Sequence, residues 1–247
     1  MMVSIVITAV IVGLSLGLLG AGGSILLVPA LMLLLDLPEK QAIAHALLIV
    51  PFISIFGAYQ GWRAKRLDWR ILFWFAIASI PAAMVSARLG LILPMGFQSL
   101  ILIALLVVAA FKMWRPQQSI RAQHGSSMRL LLIGGISGAV TGMVGIGGGF
   151  LIVPALTLFA GVAMQTAVAI SLVMIVFNGL AAFISLQVAP VSPVISWQVV
   201  GIISAIGALA VVVAGFIANK LDPQIIKRLF ASVLLLVALL MSLDLLV

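Results

Sequence analysis

The sequence predicts an all-α integral membrane protein, a polytopic helical bundle of two homologous and inverted halves, each with a glycine-broken helical hairpin. Three observations predict it. The chain is 65% hydrophobic and only 7% charged, where a soluble domain carries roughly 25% charged residues, and apolar runs long enough to span a bilayer recur from end to end. Residues 13–60 align without gaps on residues 138–185, and 15 of the 48 pairs are identical. Lysine and arginine are spread unevenly over the loops, in a way that sets the two halves in opposite orientations.

The apolar runs cover residues 3–35, 41–61, 69–90, 95–114, 129–161, 163–188, 194–219 and 224–246. The first starts at Val3 with no basic segment before it and no small-residue cleavage pattern after it, so it reads as part of the fold and not as a removable signal. As one helix, residues 3–35 would reach about 50 Å, far beyond a ~30 Å hydrocarbon core. The stretch GAGGSILLVPAL, from Gly20 to Leu31, interrupts it. The stretch GIGGGFLIVPAL, from Gly145 to Leu156, interrupts 129–161 in the same way. Cut at Gly20–Ser24, the first run gives two short arms, which either cross twice or dip in and return. Gly17/Gly142, Gly20/Gly145, Gly22/Gly147, Gly23/Gly148 and Pro29/Pro154 fall in register 125 residues apart, which apolar bias alone does not produce; an internal duplication does. The polar stretch WRPQQSIRAQHGSSMR, from Trp114 to Arg129, divides the chain into a first transmembrane repeat (1–114), a cytoplasmic linker (115–128) and a second repeat (129–247).

Loop 61–70 carries Arg63, Lys65, Arg66 and Arg70, the linker region Lys112, Arg115, Arg121 and Arg129, and loop 219–228 Lys220, Lys227 and Arg228, whereas loop 188–196 is uncharged. The positive-inside rule places the first three in the cytoplasm and the last outside. Arg88 dissents, because this topology leaves it near the outer face, where it either pairs with an anion or snorkels to the interface. Most of the five tryptophans fall at span boundaries, as an aromatic belt requires. The net charge of +8 reads as basic loops facing anionic lipid and not as a nucleic-acid surface. No cysteine is present, which excludes disulfides and thiolate metal sites.

A break inside a membrane exposes backbone groups that lipid cannot satisfy, so it faces protein or a wet cavity. The helix restarting after the glycines has N–H groups without intrahelical partners and the positive end of its dipole, and glycines let a ligand approach that backbone. Such a start is an anion site. Two inverted halves would aim both starts at one cavity near the midplane. The expected substrate-binding set is therefore Gly20, Gly22, Gly23 and Ser24 with Gly145, Gly147, Gly148 and Gly149, the prolines Pro29 and Pro154 fitting near the first turn of each new helix. His45, Ser171 and Asn178 complete the set, as polar groups within apolar runs. His45 serves either an anion or proton coupling, or hydrogen-bonds a neighbouring helix; Asn178 either lines the cavity or ties two helices together. Gln60 and Gln187 fall near segment ends and are expected to face headgroups.

The duplicated glycine cluster followed by PAL resembles the TauE/SafE family of membrane transporters, also called the sulfite exporter family. The resemblance covers nearly the whole chain. It implies export of sulfite or a small organosulfur anion across a bacterial inner membrane, with protons as a candidate coupling ion. Where family members often carry a polar step after the break, the second half keeps Ser171-Leu172 and the first reads Ala46-Leu47; Ser24 also replaces the third glycine, so a shared site would be asymmetric.

No enzyme constellation is present: the five acidic residues all lie at span boundaries or near the terminus, and no Walker lysine follows the glycines. No cofactor is expected. The expected function is a secondary anion transporter working by alternating access, with a small anionic substrate and membrane lipid as partners and no nucleic acid. The alternatives are an anion channel built on the same site and a non-transport membrane scaffold.

Overall fold

Long apolar runs in lipid must satisfy every backbone hydrogen bond internally, and helices are one of two ways to do so. The computed structural model follows that rule. It describes residues 2–19, 22–92, 127–144, 149–188, 194–218 and 222–244, with parts of 100–111, and has no strand among them. Its helices are α1 (Met2–Leu19), α2 (Gly22–Leu35), α3 (Glu39–Arg63), α4 (Trp69–Ile92), α5 (Ser127–Val144), α6 (Gly149–Phe159), α7 (Met164–Gln187), α8 (Trp197–Ala218) and α9 (Pro223–Asp244). Among the described residues, four segments are long and apolar enough to cross a membrane: Lys40–Arg63, Trp69–Gly90, Met164–Gln187 and Trp197–Ile217. The chain is a multi-pass membrane protein. Most of the linker between the halves lies outside the described residues, and α5 starts at Ser127.

The helix ends show why the chain turns where it does. Asp68 Oδ1 accepts the N–H groups of Arg70 and Ile71 at the start of α4, a side-chain cap for orphan donors. After α3, Lys65 adopts a left-handed conformation, and the Arg66 N–H reaches back to the Gly61 carbonyl at 3.1 Å, which closes the helix. The turns after α2 and α6 match each other. Asp36 and Gly161 both have positive φ, and the next N–H, of Leu37 or Val162, bonds to the carbonyl of Leu31 or Leu156.

The most extensive helix contacts are α4 with α5 and α1 with α8, so the helices of one half pack on those of the other. Glycines make both contacts possible. The space a Cβ would take at Gly13 and Gly17 is filled by the carbonyl oxygens of Gly207 and Val211, and at Gly138 and Gly142 by those of Ser79 and Ala83. Backbones in such close contact gain the packing that drives helix association in lipid. The rising numbers on both sides make α1 parallel to α8 and α5 parallel to α4.

The same arrangement recurs elsewhere. Gln60 Nε2 donates to the Val212 carbonyl, and Ser185 Oγ donates to the Met84 carbonyl. Ile53 packs against Gly207, and Asn178 bonds to Ser79. Each contact thus has a counterpart with the halves exchanged, once α4 and α8 are aligned on their first residues, Trp69 and Trp197.

At the centre, α3 packs on α7. Gly61 meets Ala169, Gly57 meets Leu172, and Gly179 meets Pro51 and the Leu47 carbonyl. Numbers rise on one helix as they fall on the other, so α3 and α7 run antiparallel. Both helices contribute to the main core, with Ala46, Ile49, Val50 and Ile53 of α3 and Ala167, Ile170, Met174 and Ile175 of α7, all buried. The outer faces of α4 and α8 expose Phe73, Ile77, Val85, Leu209, Val213 and Phe216, a surface suited to acyl chains.

Candidate functional site: broken helices and a cleft

Each glycine cluster falls at the junction between two described helices. Helix α1 stops at Leu19 and α2 starts at Gly22; α5 stops at Val144 and α6 starts at Gly149. Gly20, Gly145, Gly147 and Gly148 lie outside the described residues. Gly22, Gly23 and Ser24 form the first turn of α2, with the Ser24 side chain outside the description, and Gly149 opens α6. The prolines correct one expectation. Pro154 sits inside α6, and Pro29 falls as deep within α2. Counted from the first described residues, Gly22 and Gly149, each proline lies past the first turn. The proline ring removes an interior N–H there and frees a carbonyl one turn earlier.

The described ends of α1 and α5 do not meet. Gly17, near the end of α1, packs beside Val211 and Ala214 near the end of α8. Gly57 contacts Val211, and Gln60 reaches Val212 and Gly215, so this is also the Arg63 end of α3. Gly142, near the end of α5, packs beside Ala83, Ser86 and Ala87 of α4, level with Ser185 of α7, which bonds to Met84. Because α3 and α7 are antiparallel, the ends of α1 and α5 lie at opposite ends of the bundle. What meets between them is α2 with α6.

His45 is 1% exposed and fully engaged with backbone. Its Nδ1–H donates to the Gln41 carbonyl at 2.7 Å, and its Nε2 accepts the Ser196 N–H at 2.9 Å. A backbone N–H aimed at Nε2 requires that nitrogen to be unprotonated, so the ring is the neutral Nδ1–H tautomer. The residue fastens α3 to the segment that starts α8. Ser171 is buried, and its hydroxyl donates to the Val168 carbonyl one turn back.

Asn178 is also buried. Its amide donates to Ser79 Oγ at 2.7 Å across α7 and α4, while its Oδ1 and the buried Ser54 hydroxyl have no hydrogen-bond partner. Unpartnered polar atoms in an interior are rare and call for an explanation. Asn178 aligns with Ile53, the residue beside Ser54, so the two residues fall at nearly equivalent positions of α7 and α3.

Sequence reasoning missed the polar groups at the helix ends. Gln60 does not face headgroups; its side chain lies over Gly215 and caps the Val212 carbonyl. The signal was there in its repeat partner, Ser185, which caps the equivalent carbonyl. Arg88 is exposed, and its Nε–H donates to Ser185 Oγ at 3.1 Å.

Gln60 also lines a small cleft of about 70 Å³. Gly17 and Leu18 of α1 form one wall, Gly57, Gln60 and Gly61 of α3 a second, and Met164, Gln165 and Val168 of α7 a third, with Arg66 at the rim. The cleft therefore adjoins the end of α1. It opens beside the loop bearing Arg63, Lys65, Arg66 and Arg70, whose positive charge draws anions toward it.

Comparison with known proteins agrees with the fold. A probable membrane transporter protein of Xylella fastidiosa (strain Temecula1) is 30% identical over 155 residues, which cover 59% of each chain. The probable membrane transporter protein YjnA of Bacillus subtilis is 28% identical over 61% of this chain and 65% of its own. The probable membrane transporter protein MJ0441 of Methanocaldococcus jannaschii is 29% identical over 73% and 70%. The matched stretch thus spans less than two thirds of the first two relatives. No solved structure matches. The model of the family "Sulfite exporter TauE/SafE" matches residues 5–241, and the chain belongs to that family of membrane transporters.

Proposed function

We propose that the protein is a secondary transporter that moves a small anion, sulfite or a related sulfur oxyanion or organosulfonate, out across a bacterial inner membrane by alternating access. Family membership over residues 5–241 carries the transporter reading. The anion reading rests on the two helix starts, at Gly22 and Gly149, each with unpaired N–H groups and a positive dipole end.

The halves, residues 1–114 and 129–247 joined by the linker 115–128, are inverted repeats in this reading. Support comes from the antiparallel run of the equivalent helices α3 and α7 and from the contacts that recur with the halves exchanged. It also comes from the basic loop 61–70 facing away from the uncharged loop 188–196. With the ends of α1 and α5 far apart, the glycine sets act as two stations, one near each membrane face. In this reading the anion passes between them along α2 and α6, and the unpartnered oxygens of Ser54 and Asn178 are ones that water or a protonated substrate would satisfy. His45, bonded to backbone on both sides, is a structural tie in this scheme, and the coupling proton travels elsewhere.

The test is flux in proteoliposomes under an imposed pH gradient, with sulfite, sulfate, phosphate, chloride and a small sulfonate in parallel. Saturable flux of sulfite or the sulfonate, lost when Gly148→Leu blocks the second helix start, is the expected result. Equal flux of every anion in proportion to its gradient would favour a channel. No flux from folded protein would sink the anion reading.

A further inference from the structure

The recurring contacts allow each position of one half to be compared with its equivalent in the other. The cleft beside loop 61–70 is lined by Gly57 and Gly61 of α3 and Gly215 of α8, with Leu172 of α7 beneath. Their equivalents are Ala182 and Leu186 of α7, Ala87 of α4 and Leu47 of α3. These four pack against one another as a separate apolar cluster, with exposures of 0% for Ala182, 3% for Leu186, 2% for Ala87 and 0% for Leu47. One site is therefore open at one end of the bundle and filled at the other. The side chains explain the difference. Where the open end has three glycines, the filled end has two methyl groups and a leucine.

We propose that the cleft is the cytoplasmic mouth of the anion path and that the Leu47–Ala87–Ala182–Leu186 cluster is the gate closing its outer mouth. This rests on the transporter reading above and deepens it by naming the two ends of the path. The open mouth suits a small anion, with the carboxamides of Gln60 and Gln165 on its walls, the end of α1 beside it, and a rim drawn from a basic loop. At the closed mouth these four apolar side chains are buried against one another, with the Arg88–Ser185 hydrogen bond beside them. Helices packed this way hold discrete arrangements and do not deform continuously. Passage therefore requires α7 to move away from α3 and α4 at the Leu186 end, exposing the positions that now form the plug.

The absence of native cysteine makes the proposal testable by labelling. Single cysteines at Gln165→Cys and Ala182→Cys are treated with a membrane-impermeant maleimide in right-side-out and inverted membrane vesicles. Gln165→Cys is expected to react only from the face bearing loop 61–70, and Ala182→Cys from neither face. Replacing the plug leucine by the residue at the open end, Leu186→Gly, should then make Ala182→Cys reactive from the opposite face. Leu186→Ala serves as the milder change if the glycine variant unfolds in detergent. Failure of Ala182→Cys to gain reactivity in a folded plug variant overturns the gate, as does labelling of Gln165→Cys from the opposite face.

A second arm separates this claim from the substrate reading. Proteoliposomes of Leu186→Gly should pass sulfite faster than those of the parent protein and without the saturation expected of the parent. A gain in labelling with no flux of sulfite, sulfate, phosphate or chloride would uphold the gate and count against the anion reading alone.

Discussion

A few residues hold this bundle together through backbone contacts and not through side-chain pairs. His45 bridges the Gln41 carbonyl and the Ser196 N–H while 1% exposed. His45→Ala leaves that N–H without a partner, a loss of about 1–3 kcal/mol. The midpoint of thermal unfolding in detergent should fall accordingly, while the protein that remains folded keeps its flux; flux lost at full stability would return His45 to the transport path. The equivalent turns at Asp36 and Gly161 make a second comparison. Both residues are left-handed, a conformation that costs a non-glycine residue about 1–2 kcal/mol. Gly161→Val should destabilise by at least that amount, whereas Asp36→Gly should be neutral or stabilising by up to about 1 kcal/mol, as read by the same melts. None of this was legible from one residue at a time. A buried histidine carries the same letter whether it binds an anion or a backbone amide, and its partner Ser196 is 151 positions away.

At the scale of helices, the sequence was more informative. The glycine clusters mark the junctions between α1 and α2 and between α5 and α6, because nothing else in an apolar run of that length is expected to stop a helix. Arginine and lysine give the expected direction of the halves, which the labelling below tests. What could not be read was where each break sits along the bundle, because that depends on which helix of the other half each one packs against. The glycines that settle it, Gly13, Gly17, Gly138 and Gly142, look like ordinary small residues until their partners are known. They give a sharp prediction. Gly138→Leu drives a side chain into the Ser79 backbone and should cost about 1–3 kcal/mol or prevent folding. Gly201→Ala, with nothing within 4 Å of a new Cβ, should change stability by less than about 1 kcal/mol. Topology is open to the same kind of direct check. Single cysteines at Lys65 and Asp222 should label from one face and at Val194 from the other; labelling of all three from one face would refute the inverted halves.

For the molecule as a whole, the two halves agree in their packing and differ in their filling. The shared contacts make the two ends of the bundle comparable, and Gly57, Gly61 and Gly215 against Ala182, Leu186 and Ala87 make them unequal. Sequence alignment alone pairs Gly61 with Leu186 but gives no reason to notice it. The pair gains meaning only when α3 and α7 run antiparallel and bring those residues to opposite faces. The proposed mouth and gate would give one of the states that alternating access requires. The measurement that tests this most directly is counterflow. Proteoliposomes loaded with excess unlabelled sulfite and diluted into a trace of labelled sulfite should concentrate the label transiently, because each outward passage returns the site for an inward one. A label that only equilibrates, with no overshoot at any loading, would contradict the account.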